Sequence, residues 1–411
     1  MSRVTIRSIA AGGDGVGTLE DGRAVFVPRT APGDVVECRI TESRRRWARA
    51  VPLSVVEPGP GRAEPECPHY DTDRCGGCRL QHLSYEAQLA AKARIVGDAL
   101  RRIGGLEAED PPIAPSPSQW RYRARVTLHA ERGRIGYHRV GEASGVFDLT
   151  ECRIAREPLM TLWRAVSRER RLLPPDLTAL GLREDGEGER HVVVESLAGR
   201  VWDAGPLARA VGDPAVRYWW RPEGGAARVL AGPPSAFPVL AFEQVQPGLG
   251  GDIREQAVAE AGAGSGSVAW DLYAGVGETA RALAARGADV WAVEADGAAV
   301  AWGRDRARGW DRGAAVRWEA EAAERAVARL PDPDVAVVNP PRTGLGAEVA
   351  EALQGRAQRA RPFRVVYVSC DPATLARDLR RMPGLGLRSV RAFDLFPQTA
   401  HVETLSVLEA A

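Results

Sequence analysis

The chain has 411 residues, 45% of them hydrophobic and 27% charged, with 55 basic side chains against 54 acidic ones. That is too much sequence for one ordinary core and suits two or three domains, and the composition excludes a disordered or collagen-like chain. A formal net charge of +1 excludes a protein that grips nucleic acid through its overall charge, so such a partner would have to be held by local patches. Two biases stand out: Lys92 is the one lysine, and four of the six cysteines fall between Cys67 and Cys152. The N-terminal MSRVTIRSIAAGGDGVG lacks a signal-peptide core, and no stretch approaches the apolar run of about 18 residues that spans a bilayer. A cytoplasmic monomer without membrane attachment is expected, and in a reducing compartment clustered cysteines point to metal ligands or catalysts rather than disulfides.

Residues 1–56 read as short strands broken by glycines, VTIRSI, GGDGVG, RAVFVP, DVVECRI and AVPLSVV, which suggests a small OB-like β-barrel. The basic run Arg44-Arg45-Arg46-Trp47-Ala48-Arg49 lies within it, and Cys38 reads as core. The Pro/Gly-rich EPGPGRAEPE marks a linker, after which a central region over 57–240 carries the cysteines. A helix is predicted over 84–103, capped by Ser84 and packing on the C-terminal domain. Beyond a second linker, EDPPIAPSPSQ, the segments RYRARVTLHA, GRIGYHR and HVVVES alternate as strands, giving a mixed α+β central domain. From about residue 241 to 411 strands alternate with glycine loops and helices, VAWDLYAGVGE, DVWAVE, DVAVVNPP and RVVYVSC, which predicts an α/β domain with a parallel, Rossmann-like sheet.

The motifs of that last region carry the chemistry. Gly275 and Gly277, after the strand ending in Tyr273, let backbone approach a ligand at the carboxyl end of the first strand. Glu294 ends the next strand, where a carboxylate can accept from both ribose hydroxyls. Ala280 occupies the last glycine position of a dinucleotide fingerprint, so S-adenosylmethionine fits this loop better than a nicotinamide cofactor. A tight turn with a surface acid is the plain alternative. Asn339-Pro340-Pro341-Arg342 ends another strand and either aims carbonyls at a substrate base or is a structural Pro-Pro turn. Cys370 lies at a strand end and helix N-terminus, where the dipole favours a thiolate nucleophile, although a lone cysteine can also be inert packing. His401 and Glu403 lie some thirty residues downstream and supply an imidazole and a carboxylate. A cysteine with a nearby base beside a methyl-donor pocket suits methylation at an unreactive pyrimidine carbon.

Cys67, Cys75, Cys78 and distant Cys152 form C-x7-C-x2-C…C. Four thiolates suit tetrahedral zinc or an iron–sulfur cluster, and the uneven spacing favours a 4Fe-4S cluster over zinc. The runs Arg44 to Arg49 and Arg121-Tyr122-Arg123-Ala124-Arg125 interleave arginine with Trp47 and Tyr122, so they either contact RNA phosphates and stack bases or are solvated strand faces.

Together these residues resemble the RNA 5-methyluridine methyltransferase family. SCDPATLARD is similar to that family's Ser-Cys-Asn-Pro-x-Thr-x-x-Arg-Asp, and FPQTAHVETL to its Phe-Pro-x-Thr-x-His-Val-Glu. The resemblance implies Cys370 as nucleophile and Glu403 as base in methyl transfer from S-adenosylmethionine to C5 of a uridine, with ribosomal favoured over transfer RNA. DLYAGVGE and Phe242-Glu243-Gln244-Val245-Gln246 are similar to its cofactor motifs, which implies cofactor places for Gln244, Tyr273, Gly275, Gly277, Glu278, Glu294 and Asn339, and contact with the RNA substrate for Phe242 and Arg342. The cysteine segment resembles the 4Fe-4S segment of some members, with Cys152 as fourth ligand, and the first 56 residues resemble an RNA-binding TRAM domain. Four positions depart from the pattern: Glu278, Gln246 and Asp371 where Asn is usual, and Asn339 for Asp. The exchange of charge between Asn339 and Glu278 would keep the pocket's net charge. An RNA cytosine-C5 enzyme would place a further cysteine in the loop Asn339 to Arg342, which has none. A noncatalytic RNA-binding iron–sulfur protein would have no need of both Cys370 and Glu403.

Overall fold

The computed structural model describes residues 1–142, 145–197, 201–359 and 362–410. The N-terminal strands are β1 (Ser2–Ile9), β2 (Gly15–Thr18), β3 (Ala24–Val27), β4 (Val35–Ser43) and β5 (Trp47–Glu57), closed into a barrel in the order β1-β2-β3-β5-β4. Alternation puts Val4, Ile6, Val25, Val27, Val36, Cys38, Ala48 and Ala50 into one core. The basic run is not a unit of its own, because Trp47 to Arg49 begin β5 and only 44–46 turn between strands.

The helix Tyr85–Arg102 starts where the sequence places it, with the Ser84 hydroxyl accepting from the Ala87 amide. It leads to the short β6 (Ile113–Ala114). A mixed sheet follows, in the order β12-β11-β10-β9-β7-β8, from β7 (Arg125–Glu131), β8 (Arg134–Gly136), β9 (Leu177–Glu184), β10 (Arg190–Ser196), β11 (Arg217–Pro222) and β12 (Arg228–Ala231). RYRARVTLHA is a strand only from Arg125 onward. Its first residues leave the ladder because Arg121 is in the left-handed region, at φ +54°, its guanidinium held by the carbonyls of Cys152 and Ala155.

The last sheet takes β13 (Val268–Leu272), β14 (Asp289–Glu294), β15 (Val316–Ala320), β16 (Val335–Val338), β17 (Arg364–Ser369), β18 (Leu385–Phe393) and β19 (Glu403–Ala410) in the order β15-β14-β13-β16-β17-β19-β18-β6. β15 to β17 run parallel with β13 and β14, while β19 inserts antiparallel between β17 and β18. Continuous Val/Ala strands such as Val335–Val338 are buried on both faces, as a helix-covered parallel sheet requires. Val96, Ala99 and Leu100 of the helix Tyr85–Arg102 belong to the core of this sheet, and β6 extends its edge. Among the described residues no helix is long and apolar enough to cross a membrane.

Candidate active site

Strand order changes direction between β13 and β16, and at such a switch point the carboxyl ends of the strands open a crevice. The register fixes what meets there. Leu272 pairs with Val293 and Val338, which sets Tyr273 between Glu294 and Asn339. Ser369 pairs with Thr404 in the antiparallel β17–β19 ladder, so the next step sets Cys370 across from Glu403. One crevice edge thus carries the glycine loop, Asn339, Cys370 and Glu403.

On the cofactor side, Gly275 (φ +56°) and Gly277 (φ +84°) make a turn that side chains resist, and a Cβ on Gly277 would lie 2.1 Å from the Trp318 ring. The Glu294 carboxylate accepts from the Gly275 amide at 2.9 Å and from the Asp296 amide at 2.8 Å, which fixes it beside the loop. Phe242 is 61% exposed and its carbonyl lies against Gly275. Gln244, Arg125, Arg183, Arg254 and Glu278 line one cleft. Glu278 is ion-paired with Arg254, so its charge is offset locally rather than by exchange with Asn339. The Tyr273 hydroxyl donates to Glu324 at 3.1 Å, and the Asn339 amide to the Leu272 carbonyl at 3.3 Å. Asp271, which the sequence reading passed over, is 3% exposed with its Oδ2 lacking a partner among the described residues, and burial pushes its carboxyl up to about 7. A strand-end carboxylate, open backbone amides and an orphaned acid fit an adenosyl ligand carrying hydroxyls and an amine.

Cys370 and Glu403 depart from the expectation of a dipole-stabilised thiolate. The side chain of Asp371 caps the helix Pro372–Arg381 and takes the amides of Ala373 and Thr374, so the first-turn donors are spent before Cys370 can use them. Burial, then the neighbouring Glu403 carboxylate, push the Cys370 thiol up to about 11. Burial likewise pushes Glu403, 1% exposed and with Oε2 lacking a partner among the described residues, up to about 8. The exposed Arg342, which has no ion-pair partner among the described residues, lowers both groups. His401 is driven down to about 4, by burial first and then by Arg342 and Arg123.

Cys67, Cys75, Cys78 and Cys152 line a single cavity and form no disulfide. Burial raises Cys75 to about 12 and puts Cys78 and Cys152 above the ordinary thiol range. Thiolates there need a cation to compensate them. Four thiol groups on one cavity suit a centre that takes four sulfurs, tetrahedral zinc or an iron–sulfur cluster. His69 also lines the cavity, but its Nδ1 faces Asp73 at 2.7 Å and its Nε2 faces the Thr150 amide and hydroxyl. A second group, Asp185, Glu189 and His191, which sequence reasoning missed, converges in the β9–β10 hairpin. Its atoms are already committed: Asp185 to the Glu187 and Glu189 amides and His191, Glu189 to Arg217, and His191 to Trp219.

The two arginine runs fare differently. Arg45 and Arg46 are exposed and unpaired among the described residues, Arg44 pairs with Glu42, and Trp47 sits half-buried edge-on to Phe26. In the second run Tyr122 cannot stack a base, because it is 4% exposed and its hydroxyl donates to the Pro397 carbonyl. Arg121 pairs with Glu151 and Glu157, and Arg123 lines the cysteine cavity and lies over the Phe396 ring. Arg123 of this run lines the cysteine cavity and Arg125 the cofactor-side cleft, so the run is not one free basic face.

Comparison with known proteins agrees with this geometry. Residues 2–53 match the TRAM domain model and residues 320–411 the model for tRNA (uracil-5-)-methyltransferase. An uncharacterized RNA methyltransferase of Nitratidesulfovibrio vulgaris is 33% identical over 98% of this chain and 95% of its own. The 23S rRNA (uracil(1939)-C(5))-methyltransferase RlmD of Pseudomonas putida is 31% identical over 99% and 93%. The crystal structure of Pyrococcus abyssi tRNA (uracil-54, C5)-methyltransferase in complex with S-adenosyl-L-homocysteine superposes with a TM-score of 0.73 at 25% identity, covering 99% of both chains. With matched motifs at both ends and similarity running the length of the chain, the protein belongs to the S-adenosylmethionine-dependent RNA (uracil-5-)-methyltransferase family.

Proposed function

We propose that this protein methylates C5 of a specific uridine, in 23S rRNA rather than tRNA, through a covalent enzyme–RNA adduct. The observation that carries the reading is the register of β17 and β19, which sets Cys370 across from Glu403 beside the glycine loop. The Cys370 thiol loses its proton to solvent, and the sulfur adds to C6 of the ring, which makes C5 nucleophilic. When bound, S-adenosylmethionine would supply the electrophilic methyl group that C5 takes, its sulfur–methyl bond breaking to leave S-adenosylhomocysteine. Glu403 removes the C5 proton, the C5–C6 double bond re-forms, and the C6–sulfur bond breaks to release Cys370. Arg342 supplies the positive field for the charges that develop on sulfur and ring. Gln244, Tyr273, Gly275, Gly277, Glu278, Glu294 and Asn339 hold the cofactor, and Phe242 with Arg44, Arg45, Arg46 and Trp47 engages RNA.

Cys67, Cys75, Cys78 and Cys152 would hold a 4Fe-4S cluster, a reading supported by their shared cavity and by their uneven spacing along the chain. Such a cluster would compensate buried thiolates and tie segment 67–78 to Cys152. Methyl transfer moves no electrons, so a holding role suffices.

The test uses purified protein, unmodified 23S rRNA and tRNA transcripts and a radioactive methyl donor. 5-Methyluridine recovered from the 23S transcript, and a denaturation-resistant adduct with 5-fluorouridine RNA that Cys370→Ala abolishes, are the expected results. Methylated cytidine, or turnover by Cys370→Ala near wild type, would refute the mechanism.

A further inference from the structure

The connection between β18 and β19 has no regular structure, yet residues 394–400 are all buried. Connections normally run over the surface because their peptide groups need water. Here partners distant in sequence replace water. Lys92, 0% exposed, forms an ion pair with Asp394, also 0% exposed, and donates to the Phe396 carbonyl at 2.9 Å. The Tyr85 phenol, whose pKa is raised by burial and then by Asp394, stands beside the same carboxylate. Gln88 and Gln398 exchange two hydrogen bonds of 2.9 Å, side chain to side chain and Gln398 amide to Gln88 Oε1. The Leu80 amide, two residues beyond Cys78, donates to the Gln398 carbonyl at 2.9 Å. Gln398 is held at φ +69°, a conformation that persists in a non-glycine residue only where its surroundings over-determine it.

The composition singles out Lys92 as well. Of 55 basic side chains it alone is lysine, in a chain that uses arginine at every other cationic position. A buried site joining one carboxylate oxygen to one carbonyl admits a compact ammonium and excludes the planar guanidinium.

We propose that Lys92 is a positioning residue for the base: it clamps the strap 394–401 that delivers Glu403 to Cys370, with the Gln88–Gln398 pair as the second point of the clamp. The proposal rests on the covalent mechanism above. Loss of the clamp displaces the carboxylate from C5, and a misplacement of about 1 Å lowers a catalytic step by about 10- to 100-fold. Glu403 opens β19 and pairs with Phe393, the residue before Asp394, so the clamp acts at the strand end that carries the base, whereas Cys370 follows β17 and is fixed by the cap of its own helix.

The experiment compares wild type, Lys92→Met and the double variant Lys92→Met/Asp394→Asn. The last removes both charges at similar volume and carries the test if Lys92→Met alone does not fold. Expected is a kcat lowered by about 10- to 100-fold with KM for S-adenosylmethionine within about twofold, together with accumulation on uridine RNA of a methylated adduct resistant to denaturant, because release waits on the base. Wild-type kcat in the double variant overturns the proposal, as does an adduct on 5-fluorouridine RNA that falls in step with kcat. If wild type itself forms no such adduct, the covalent mechanism fails, a result readable before any variant is made.

Discussion

Replacing Glu403 with glutamine should remove turnover and stabilise the protein, with the gain growing as pH rises. The carboxyl is 1% exposed and burial lifts it from an ordinary 4.5 to about 8. Between those values the folded state binds a proton that the unfolded state has released, so stability falls as pH rises through that window and levels off above it. At 1.36 kcal/mol per unit the penalty reaches about 3 kcal/mol at pH 7 and about 5 kcal/mol above pH 8. Glutamine has no charge to bury. Its amide nitrogen takes the place of one carboxylate oxygen, but any effect of that donor is independent of pH, so the change with pH isolates the carboxylate. Thermal unfolding of wild type and Glu403→Gln at half-unit steps from pH 5 to 9 should show midpoints that diverge by several degrees toward pH 9. In the same window release of the methylated adduct by wild type in a single turnover should climb with pH and flatten near 8, since the base acts in that step only when deprotonated. A midpoint difference that stays flat from pH 5 to 9 would show that Glu403 does not carry the raised pKa on which both expectations rest.

Three further outcomes follow from the same geometry. Because Glu403 is second only to burial in raising Cys370, iodoacetamide should alkylate Cys370 several-fold faster at pH 9 in Glu403→Gln than in wild type; equal rates would show that the two groups do not face each other. Arg45→Ala and Arg46→Ala should each weaken binding of RNA transcripts and flatten the salt dependence of log K by about 0.7–0.9, measured by filter binding from 50 to 200 mM salt; unchanged slopes would take the barrel turn out of the interface. Asp378, 0% exposed, accepts from the Leu345 amide, the Tyr367 hydroxyl, Arg377 and Arg381, and so ties the loop after Arg342 to the helix behind Cys370. Asp378→Ala should cost about 3–5 kcal/mol in chemical unfolding, and a loss under 1 kcal/mol would mean that the loop is held otherwise.

Elements written in local pattern were legible in the sequence. Alternating valines and glycine turns drew the barrel, the strand–glycine–helix rhythm drew the parallel sheet, and Ser84 marked its helix to the residue. Motif spacing also brought out Cys370 with Glu403 and the four cysteines of one cavity. What stayed hidden depends on partners far apart in the chain. Arg121 to Arg125 has the look of a basic strand, but Arg121 sits in the left-handed region with its guanidinium on the carbonyls of Cys152 and Ala155, and Tyr122 points inward to the Pro397 carbonyl. Asp371 sits where a nucleophile would draw on helix amides, and only the structure shows its own side chain taking them. Lys92 was conspicuous as the one lysine, but its partner lies 302 positions away and no local pattern could name it. Asp271 alone offered a missed local signal, as the acid opening the strand-end motif that also holds Gly275 and Gly277.

The pair at the centre of the site has room for one negative charge at a time. Burial disfavours charge on both groups, a charged Glu403 further raises the Cys370 thiol, and the one cation that lowers both is Arg342. A state with thiolate and carboxylate together would set two buried anions against a single exposed guanidinium. The covalent route never requires that state. When Cys370 attacks, Glu403 can remain protonated and the single charge passes from sulfur into the ring. Methylation at C5 then neutralises the ring, and only afterwards must Glu403 become the anion that removes the C5 proton. On the proposed route the order of the reaction would therefore be set by electrostatics as well as by bonding, because a base charged early would suppress the nucleophile. Removing Arg342 should raise both groups and move the whole rate profile to higher pH, whereas removing Glu403 should ease attack and block release.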